Sequence, residues 1–452
     1  MMFEILLFSG AGILILGMIC AYDGSRDVFH PLMFISPMMF FLYFWMPYKL
    51  QSSGGLDQFF DQEQLISVQA LNVLGVLAFV GACLAAGSRW VQKSPRRTLK
   101  LSPVANQRLL IGGALAGGVG LACWCVTIVN VGGFVNAFSA SYSGGWDDSG
   151  YVRDGSLLML VGVLMAVSAL SAGAAKTPSL LLICLFGLPW LTQALLTARR
   201  GPTFAVMTIL LMGWYVNREK RPPLLAVGIL GLCLGWLVLF LVTNRGSIYL
   251  GSNFDVKSDV GNIVDKPDTG NEFIYGTGTV LSAERRGHYF WMKRYLAQIL
   301  VRPIPSAIWP TKYEDFGVPE LLHNAGTGEG FGDALGWVGA IGSAPGIIAD
   351  LFVEVWWLAI PLMALLGWSY GTIWKTSSLQ GGGWSSQYVI LSALSIYLVM
   401  QTMEAVIFRT LLLSIPSWWT WKWAMLAPDA IRDMADEDSL PMILDSRSVE
   451  HA

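Results

Sequence analysis

Charged side chains are scarce in this sequence. Aspartate, glutamate, lysine and arginine make up 13% of the 452 residues, whereas a soluble domain usually carries about 25%. Apolar residues make up 54% and gather in long runs. The deficit of charge, together with these runs, argues against a soluble protein and predicts an integral membrane protein.

The chain also lacks the features of several other classes. Its net charge is −2, so it has no overall positive field and we expect no nucleic acid partner. All six cysteines lie inside apolar runs, whereas a disulfide framework would place them in loops. We find no HExxH motif, no Cys/His cluster and no phosphate-binding Gly-x-x-x-x-Gly-Lys-Ser/Thr loop. We therefore expect neither a metal nor another cofactor.

The long apolar runs predict the architecture. A helix needs about 20 apolar residues to cross the hydrocarbon core, and this length predicts about eleven spans. The candidate spans are residues 5–21, 31–48, 66–86, 109–131, 157–172, 179–197, 203–216, 224–242, 347–368, 388–403 and 405–421. The predicted fold is all-α: a polytopic membrane domain (1–426) with one large extracytoplasmic loop, at about 243–345, that contains short helices. Acidic composition predicts a disordered cytoplasmic tail over 427–452.

Basic residues in the short loops predict the orientation, because such residues stay on the cytoplasmic side. The loop at 87–108 carries six lysines and arginines, and the loop after Val216 carries three. Placing both inside puts the N-terminus outside and the C-terminus inside. The loop at 132–155, the short connection near residue 200 and the large loop then face outward.

Arg199 and Arg200 are therefore predicted on the face where basic residues are unusual. They stand between two spans and precede Gly201, which suits a helix C-terminus, and Pro202, which suits the first turn of the next helix. This pattern predicts a tight helical hairpin with two guanidinium groups at its tip. The planar guanidinium of arginine binds oxyanions through two parallel hydrogen bonds, so the pair indicates an anionic partner. The alternative is that both side chains only anchor the helices to lipid headgroups.

Further candidates lie in the large loop and in the last predicted span. Arg409 follows Glu404 on one predicted helix, and an intramembrane charge is a functional candidate unless the two form only a structural ion pair. The other outward arginines are Arg245, Arg285, Arg286, Arg294 and Arg302. Residues that could activate or position a hydroxyl group are His323, Glu284, Glu329, Asp333 and Asp350. A lone loop histidine is more often structural than catalytic.

The large loop contains two kinds of sequence. Its first part is rich in glycine and asparagine, which predicts a flexible segment, and its acidic residues are Asp255, Asp259, Asp265, Asp268 and Glu272. Further on, apolar residues recur at three- and four-residue spacing, at Met292, Tyr295, Leu296, Ile299 and Leu300. Lys293, Arg294 and Gln298 take the other side. This spacing predicts an amphipathic helix in the membrane interface, where a basic face is common.

Two segments of this loop carry a resemblance to a known family. The segment 302–312 begins Arg-Pro-Ile-Pro, and the segment 342–351 reads Gly-Ser-Ala-Pro-Gly-Ile-Ile-Ala-Asp-Leu and leads into a span. With an arginine-glycine step between two mid-chain spans, they resemble the Wzy-type O-antigen polymerases, or oligosaccharide repeat unit polymerases, over roughly residues 109–425. Two positions depart from the family pattern: Ser306 stands where a second arginine is frequent, and Asp350 where glutamate is common.

The resemblance implies a glycosyltransferase that polymerises undecaprenyl-diphosphate-linked repeat units at the outer face of the bacterial inner membrane, in polysaccharide biosynthesis. A hydroxyl of the incoming repeat would attack the anomeric carbon of the growing chain, and undecaprenyl diphosphate would leave. Outward arginines could stabilise that leaving group without a metal. A chain-length regulator is a candidate partner.

The resemblance also distributes roles among the candidate residues. The diphosphate would lie against Arg199, Arg200 and Arg409. The secondary candidates for this contact are Arg245, Arg285, Arg286 and Arg302. His323 or Glu329 would activate or position the acceptor.

Other functions compete with this one. An O-antigen ligase, which transfers the finished glycan to another acceptor, is the main alternative, because ligase relatives carry a histidine-polar pair in the large outer loop, as His323 and Asn324 would. A flippase or transporter of an anionic lipid-linked substrate would need charged residues along a path, and few are predicted at membrane depth. A non-catalytic scaffold of an export complex is a third possibility.

Overall fold

The computed structural model describes residues 1–91, 99–139, 150–196, 200–244, 247–251, 271–306, 308–319, 335–337, 343–427 and 430. Within these residues every regular element is a helix, which confirms the predicted all-α class. Most of the predicted tail at 427–452 lies outside the described residues. Ala427 and Ala430 are buried, so the packed part of the chain extends to the start of that segment.

The helices follow the apolar runs closely. In chain order they are α1 (Met2–Ser25), α2 (Pro31–Phe40), α3 (Met46–Ser52), α4 (Gln62–Val91), α5 (Pro103–Asn130), α6 (Phe134–Phe138), α7 (Gly150–Gly155), α8 (Leu158–Ser171), α9 (Lys176–Leu196), α10 (Arg200–Tyr215), α11 (Leu224–Thr243), α12 (Glu272–Arg286), α13 (Lys293–Leu296), α14 (Lys312–Asp315), α15 (Gly346–Val355), α16 (Ala359–Gln380), α17 (Gly382–Met400) and α18 (Met403–Met425). Two π-helical stretches extend this set: Phe41–Trp45 joins α2 to α3, and Ala297–Val301 continues α13.

Nine of the described helical stretches are long and apolar enough to cross a membrane, so the chain is a multi-pass membrane protein. Two predicted spans are not among the nine. One corresponds to α10, which has only 16 residues. The other corresponds to α18, a 23-residue helix that carries Glu404, Arg409 and Lys422.

The span predicted at 347–368 falls within the candidate membrane span Gly346–Gln380, but the structure divides this stretch into two helices. All ten residues of α15 are buried, and the helix ends where Trp356 takes a φ of 55°. This left-handed conformation is strained for a bulky residue and interrupts the helix. A short 3₁₀ turn (Trp356–Leu358) then leads into α16. The short α15 is thus a separate internal helix, and it carries two acidic residues.

Loops predicted to face outward meet at one end of the helical bundle, which we call the site end. There Arg200 at the start of α10 forms an ion pair with Glu272 at the start of α12. The indole of Trp337 packs on the ring of Phe59, with 5.1 Å between centroids, and so joins the large loop to the connection before α4.

Loops predicted to be cytoplasmic meet at the opposite end, which we call the basic end. Asp27, between α1 and α2, pairs with Nε of Arg221 at 3.3 Å and accepts a hydrogen bond from Nε1 of Trp374 at 3.1 Å. The backbone amide of Leu99 donates to the carbonyl of Asn217 at 2.9 Å. The two sets of loops therefore separate as the predicted topology requires.

Close backbone packing fixes α16 against α4. A Cβ atom added at Gly367 would lie 2.1 Å from the carbonyl oxygen of Phe79, and one added at Gly371 would lie 2.6 Å from that of Cys83. Glycines four residues apart let helix backbones approach each other in membranes. This contact fixes the position of α16 against α4. Because α16 follows α15 in the chain, it also limits where the acidic α15 can lie.

We predict that Gly367→Ala lowers the melting temperature of the purified protein, because the new methyl group meets a backbone carbonyl that cannot rotate away. Overpacking of this kind costs about 1–3 kcal/mol. Gly118→Ala in α5 is the control, because a Cβ atom there meets nothing within 4 Å. Both changes gain the same helix propensity, so equal melting temperatures for the two variants would contradict the packing assigned to α16.

Candidate functional site

A buried arginine surrounded by three carboxylates lies at the site end. Arg294 of α13 forms ion pairs with Asp350 and Glu354 of α15 and with Glu404 of α18. Its Nε lies 2.7 Å from Oε1 of Glu354 and 3.7 Å from Oε2 of Glu404. The side chains of Asp350 and Glu354 are fully buried, and that of Arg294 is 12% exposed. Such charges are tolerated only when paired, so this group couples three separate chain segments.

Local geometry explains why these side chains meet. Asp350 and Glu354 are four residues apart, so they lie on one face of α15. The chain before α13 turns sharply, because Trp291 and Met292 both have positive φ angles. The amide of Trp291 then donates to the carbonyl of Glu354 at 2.6 Å. This bond places Arg294 directly over the acidic face of α15.

Both carboxylate oxygens of Asp350 accept hydrogen bonds. Oδ1 accepts one from the guanidinium of Arg294, and Oδ2 accepts one from the hydroxyl of Tyr295 at 2.5 Å and one from the backbone amide of Met403 at 2.9 Å. The last contact satisfies one of the unpaired amides at the start of α18, next to the Thr402 side-chain cap. Asp350 was a predicted general base, but these bonds give it a positioning role.

The ionisation states of the loop residues follow from burial and from the carboxylates. Burial by itself lowers the pKa of the Arg294 guanidinium, but the charges around it, of which Asp350 contributes most, together outweigh burial and hold the pKa well above its ordinary value. Burial raises the pKa of Tyr295 well above its usual range, and the charge of Asp350 raises it further. Arg294 therefore stays charged and Tyr295 stays protonated, so both act as permanent donors.

Glu404 is the most accessible carboxylate of the group, with a side chain 30% exposed. Its Oε1 accepts a hydrogen bond from the amide of Gln298, whose own oxygen accepts one from Nη1 of Arg302 at 2.8 Å. Nη2 of Arg302 lies 2.5 Å from Oδ2 of Asp154 in α7. A polar chain therefore runs from Glu404 through the large loop to the loop at 132–155.

Arg200 and Arg409 approach the end of α17 from two sides. The Arg409 guanidinium lies 4.6 Å from the ring centroid of Tyr397 and donates to the carbonyl of Ala405 on its own helix. A Cβ atom added at Gly201 would lie 2.3 Å from the hydroxyl oxygen of the same tyrosine. Tyr397 thus contacts both the start of α10 and Arg409.

The two arginines differ in their partners. Arg200 is paired with Glu272 and contacts Sδ of Met400 at 4.0 Å. Arg409 is partly buried, and no carboxylate in the described part of the chain forms an ion pair with it. The structural ion pair weighed for Arg409 and Glu404 is therefore not formed. A partly buried guanidinium without an acidic partner is a ready site for an anion.

A cavity of about 230 Å³ adjoins the buried arginine. Arg294, Asp350 and Thr402 line one side of it, and Tyr275 and Thr279 of α12 line another. Burial raises the pKa of Tyr275, so its hydroxyl remains protonated. The lining offers hydroxyl, guanidinium and carboxylate groups beside aromatic rings, a combination suited to a polar ring such as a sugar.

Several predicted site residues are not part of the contacts described above. Those outside the described residues are Arg199, Arg245, His323, Asn324, Glu329 and Asp333, with Asp255 to Asp268 of the acidic segment. Arg285 and Arg286 end α12, about 20 Å along the helix axis from Glu272. The exposed Glu284 lies at that same end.

Two local expectations are wrong. Glu272 does not belong to a flexible stretch; it is buried in the first turn of α12, where Asn271 caps the helix. Gly201 lies in the first turn of α10 rather than at a helix C-terminus. The segment predicted as an amphipathic helix is helical, with Leu296 and Leu300 exposed, Tyr295 buried and Arg294 pointing inward.

Sequence reasoning did not single out Glu354, Gln298, Tyr295 or Asp154. Glu354 could have been found, because an acidic residue one turn after Asp350 in an apolar run is a functional candidate by the same rule as Arg409. Gln298 and Asp154 carry no such signal, since their partners are remote in sequence.

Comparisons with family models, with curated proteins and with solved structures found no match to this chain.

We predict that Arg294→Met strongly destabilises the protein, because it leaves buried carboxylates without their cation. Breaking a buried ion pair costs about 3–5 kcal/mol, and thermal unfolding in detergent measures the loss. Lys293→Met is the control, because the neighbouring lysine is exposed. Adding Glu354→Gln to Arg294→Met should recover part of the stability; a neutral effect of Arg294→Met would disprove the central role of this residue.

Proposed function

We propose that this protein polymerises polyprenyl-diphosphate-linked oligosaccharide repeat units at the outer face of a bacterial inner membrane. In this proposal α10 and α18 complete an eleven-span topology, and the site end faces outward. The resemblance of the Arg-Pro-Ile-Pro and Gly-Ser-Ala-Pro-Gly segments to the Wzy-type polymerases supports it. The basic residues of the opposite loops support the orientation.

The observation that carries the proposal is Arg409, a partly buried arginine without a carboxylate partner among the described residues. It lies over the ring of Tyr397, which also contacts Gly201 at the start of α10, the residue after Arg200. Two guanidinium groups at the end of a membrane bundle fit the two phosphates of a lipid diphosphate whose tail remains in the bilayer. They would stabilise the charge that develops on the leaving diphosphate.

Glu272 gives Arg200 a partner while the site is empty. The pair is mostly buried, with side chains 22% and 9% exposed, so an unpaired Arg200 would be costly. A diphosphate carries more charge than one carboxylate and also makes bidentate contacts. In the proposed reaction cycle the diphosphate replaces Glu272 at Arg200.

The acceptor hydroxyl needs a base, and Glu404 is placed for this task. Asp350 has both oxygens occupied, and Glu354 is completely buried. Glu404 is partly exposed, lies 3.7 Å from Nε of Arg294 and precedes Arg409 by five residues on α18. We assign it the acceptor proton: the hydroxyl oxygen bonds to the anomeric carbon, the bond from that carbon to the diphosphate breaks, and the proton passes to the carboxylate.

The distribution of charge favours a site on one side of the membrane over a transport path. In the part of the chain that the structure describes, buried ion pairs lie at the two ends of the bundle: Arg221 pairs with Asp27 at the basic end, and Arg200, Arg294 and Arg302 form pairs at the site end. A path for an anionic substrate would need charged groups between them.

The decisive experiment uses the purified protein in liposomes with a lipid-linked repeat unit as its only substrate. We expect a ladder of products separated by one repeat, together with release of polyprenyl diphosphate. A single transfer to a different acceptor would instead indicate a ligase. Movement of unreacted substrate between the leaflets without new bonds would indicate a flippase.

We predict that Arg409→Gln abolishes the ladder, with a loss of about 10²–10³-fold in rate, because the leaving diphosphate loses a charged donor. Arg409→Lys should retain a small part of the activity, since lysine keeps the positive charge but cannot make the bidentate contact of a guanidinium. Lys422→Gln is the control, because this exposed lysine lies on the same helix at the basic end. Normal polymer length in Arg409→Gln would refute the diphosphate contact.

We predict that Glu404→Gln lowers kcat by about 10²–10⁴-fold with little change in KM, because the amide cannot accept the acceptor proton. The substituted side chain can still accept the hydrogen bond from Gln298, so the fold should be kept. Steady-state kinetics over a range of pH measure the effect. If kcat/KM falls by the same factor only because KM rises, Glu404 binds substrate and does not act as the base.

A further inference from the structure

The cavity of about 230 Å³ beside the buried arginine is small for a substrate made of several sugars. Tyr275 and Thr279 of α12 line it, as do Arg294 of α13, Asp350 of α15 and Ser343 of the connection before α15. Pockets that hold drug-sized ligands usually measure about 300–1,000 Å³. This cavity is smaller, so it has room for a single polar ring and not for several linked rings.

Two hydrogen-bond donors at this cavity have no partner among the described residues. Nε of Arg294 bonds to Glu354 and Nη2 to Asp350, which leaves Nη1 unused. The hydroxyl of Ser343 likewise bonds to no described residue. Neither atom is among the fully enclosed polar atoms of the chain, so both keep accessible surface. Donors left open beside a cavity favour a ligand with oxygen acceptors.

The guanidinium in this wall is already compensated in charge. Its ion pairs with Asp350, Glu354 and Glu404 set one positive group against three carboxylates. Asp350 is also held through its second oxygen by two further donors, so it is not free to make way for another anion. A negatively charged ligand would meet a surplus of carboxylates here, whereas a neutral ligand would not.

The two central arginines of the site therefore suit different parts of a substrate. Arg409 forms no ion pair with a described carboxylate and suits an anion, while Arg294 is surrounded by carboxylates and suits neutral oxygen atoms. Glu404 lies 3.7 Å from Nε of Arg294, and Thr402, two residues earlier, lines the cavity. A ring bound in the cavity thus lies next to the proposed base.

We propose that this cavity is the subsite for the acceptor sugar and that it selects an uncharged pyranose over a uronic acid. Oxygen atoms of the ring accept hydrogen bonds from Nη1 of Arg294 and from the hydroxyl of Ser343, and the hydroxyl that reacts is the one next to Glu404. The inference rests on the proposed polymerase function, because it names the kind of sugar that ends the incoming repeat unit.

Ligand-observed NMR of the full chain in lipid nanodiscs tests this preference, since nanodiscs avoid detergents that carry a sugar. The probes are methyl glycosides of glucose, galactose, mannose and N-acetylglucosamine, each beside the matching uronic acid. We expect at least one neutral glycoside to bind and its uronic acid to bind roughly tenfold more weakly, because like charges repel in a poorly solvated site.

Two variants assign the binding to this cavity. Ser343→Ala should weaken binding of the neutral glycoside about threefold to tenfold, as expected for one lost hydrogen bond. Ser53→Ala, at an exposed serine of the site end, is its control. Glu404→Gln should bring the uronic acid closer to the neutral glycoside in affinity, because it removes a carboxylate; Glu314→Gln, at an exposed acid of the large loop, should not. Melting temperatures show whether each variant folds.

Three results would overturn the preference. They are equal binding of a neutral glycoside and its uronic acid, an unchanged preference in the folded Glu404→Gln variant, and no binding of any neutral glycoside by protein that forms the polymer ladder. Failure of the polymerase proposal is a separate result: the protein would bind the neutral glycoside with these mutational effects but form no ladder from lipid-linked repeats.

Discussion

The ion pairs of Arg294 are the contact on which the site end of this protein depends. One guanidinium holds Asp350 and Glu354 of α15 and approaches Glu404 of α18, so it ties the large loop to two helices. Each of these charges would be prohibitive in an apolar surrounding if left alone. Because the partners come from three distant parts of the chain, the pairing also fixes the register in which these parts assemble.

The position of the proposed site follows from this assembly. Asp350 satisfies the amide of Met403 and so sets where α18 begins. The start of α18 then determines the height of Glu404 and, little more than one turn later, of Arg409. A structural carboxylate therefore sets the position of the carboxylate proposed as the base and of the arginine proposed to bind the diphosphate. The proposed roles of the acids differ because their burial differs, not their residue type.

Sequence reasoning reached the fold class and the two sets of loops, because hydropathy and basic residues act locally in a membrane. It also grouped Arg200 with Arg409; in the structure Arg409 lies over the ring of Tyr397, and Gly201, the residue after Arg200, packs against the same ring. Within the 292–300 segment it did not separate Arg294 from Lys293, because periodicity does not show that Arg294 meets the carboxylates of α15. It placed Glu272 in a flexible stretch, because composition does not show that this carboxylate pairs with the remote Arg200.

The sequence is enough to identify an α-helical membrane protein and to predict its unusual arginines on one side, because every apolar run must be helical in lipid and an unpaired charge is unfavourable there. Which charges are neutralised follows only from the packing of the helices. Arg200, Arg294 and Arg409 look alike in the sequence. In the structure Arg200 pairs with one carboxylate, Arg294 is surrounded by carboxylates, and Arg409 has no ion-pair partner among the described residues. Ion pairing depends on distances between remote segments, and these distances are set by packing.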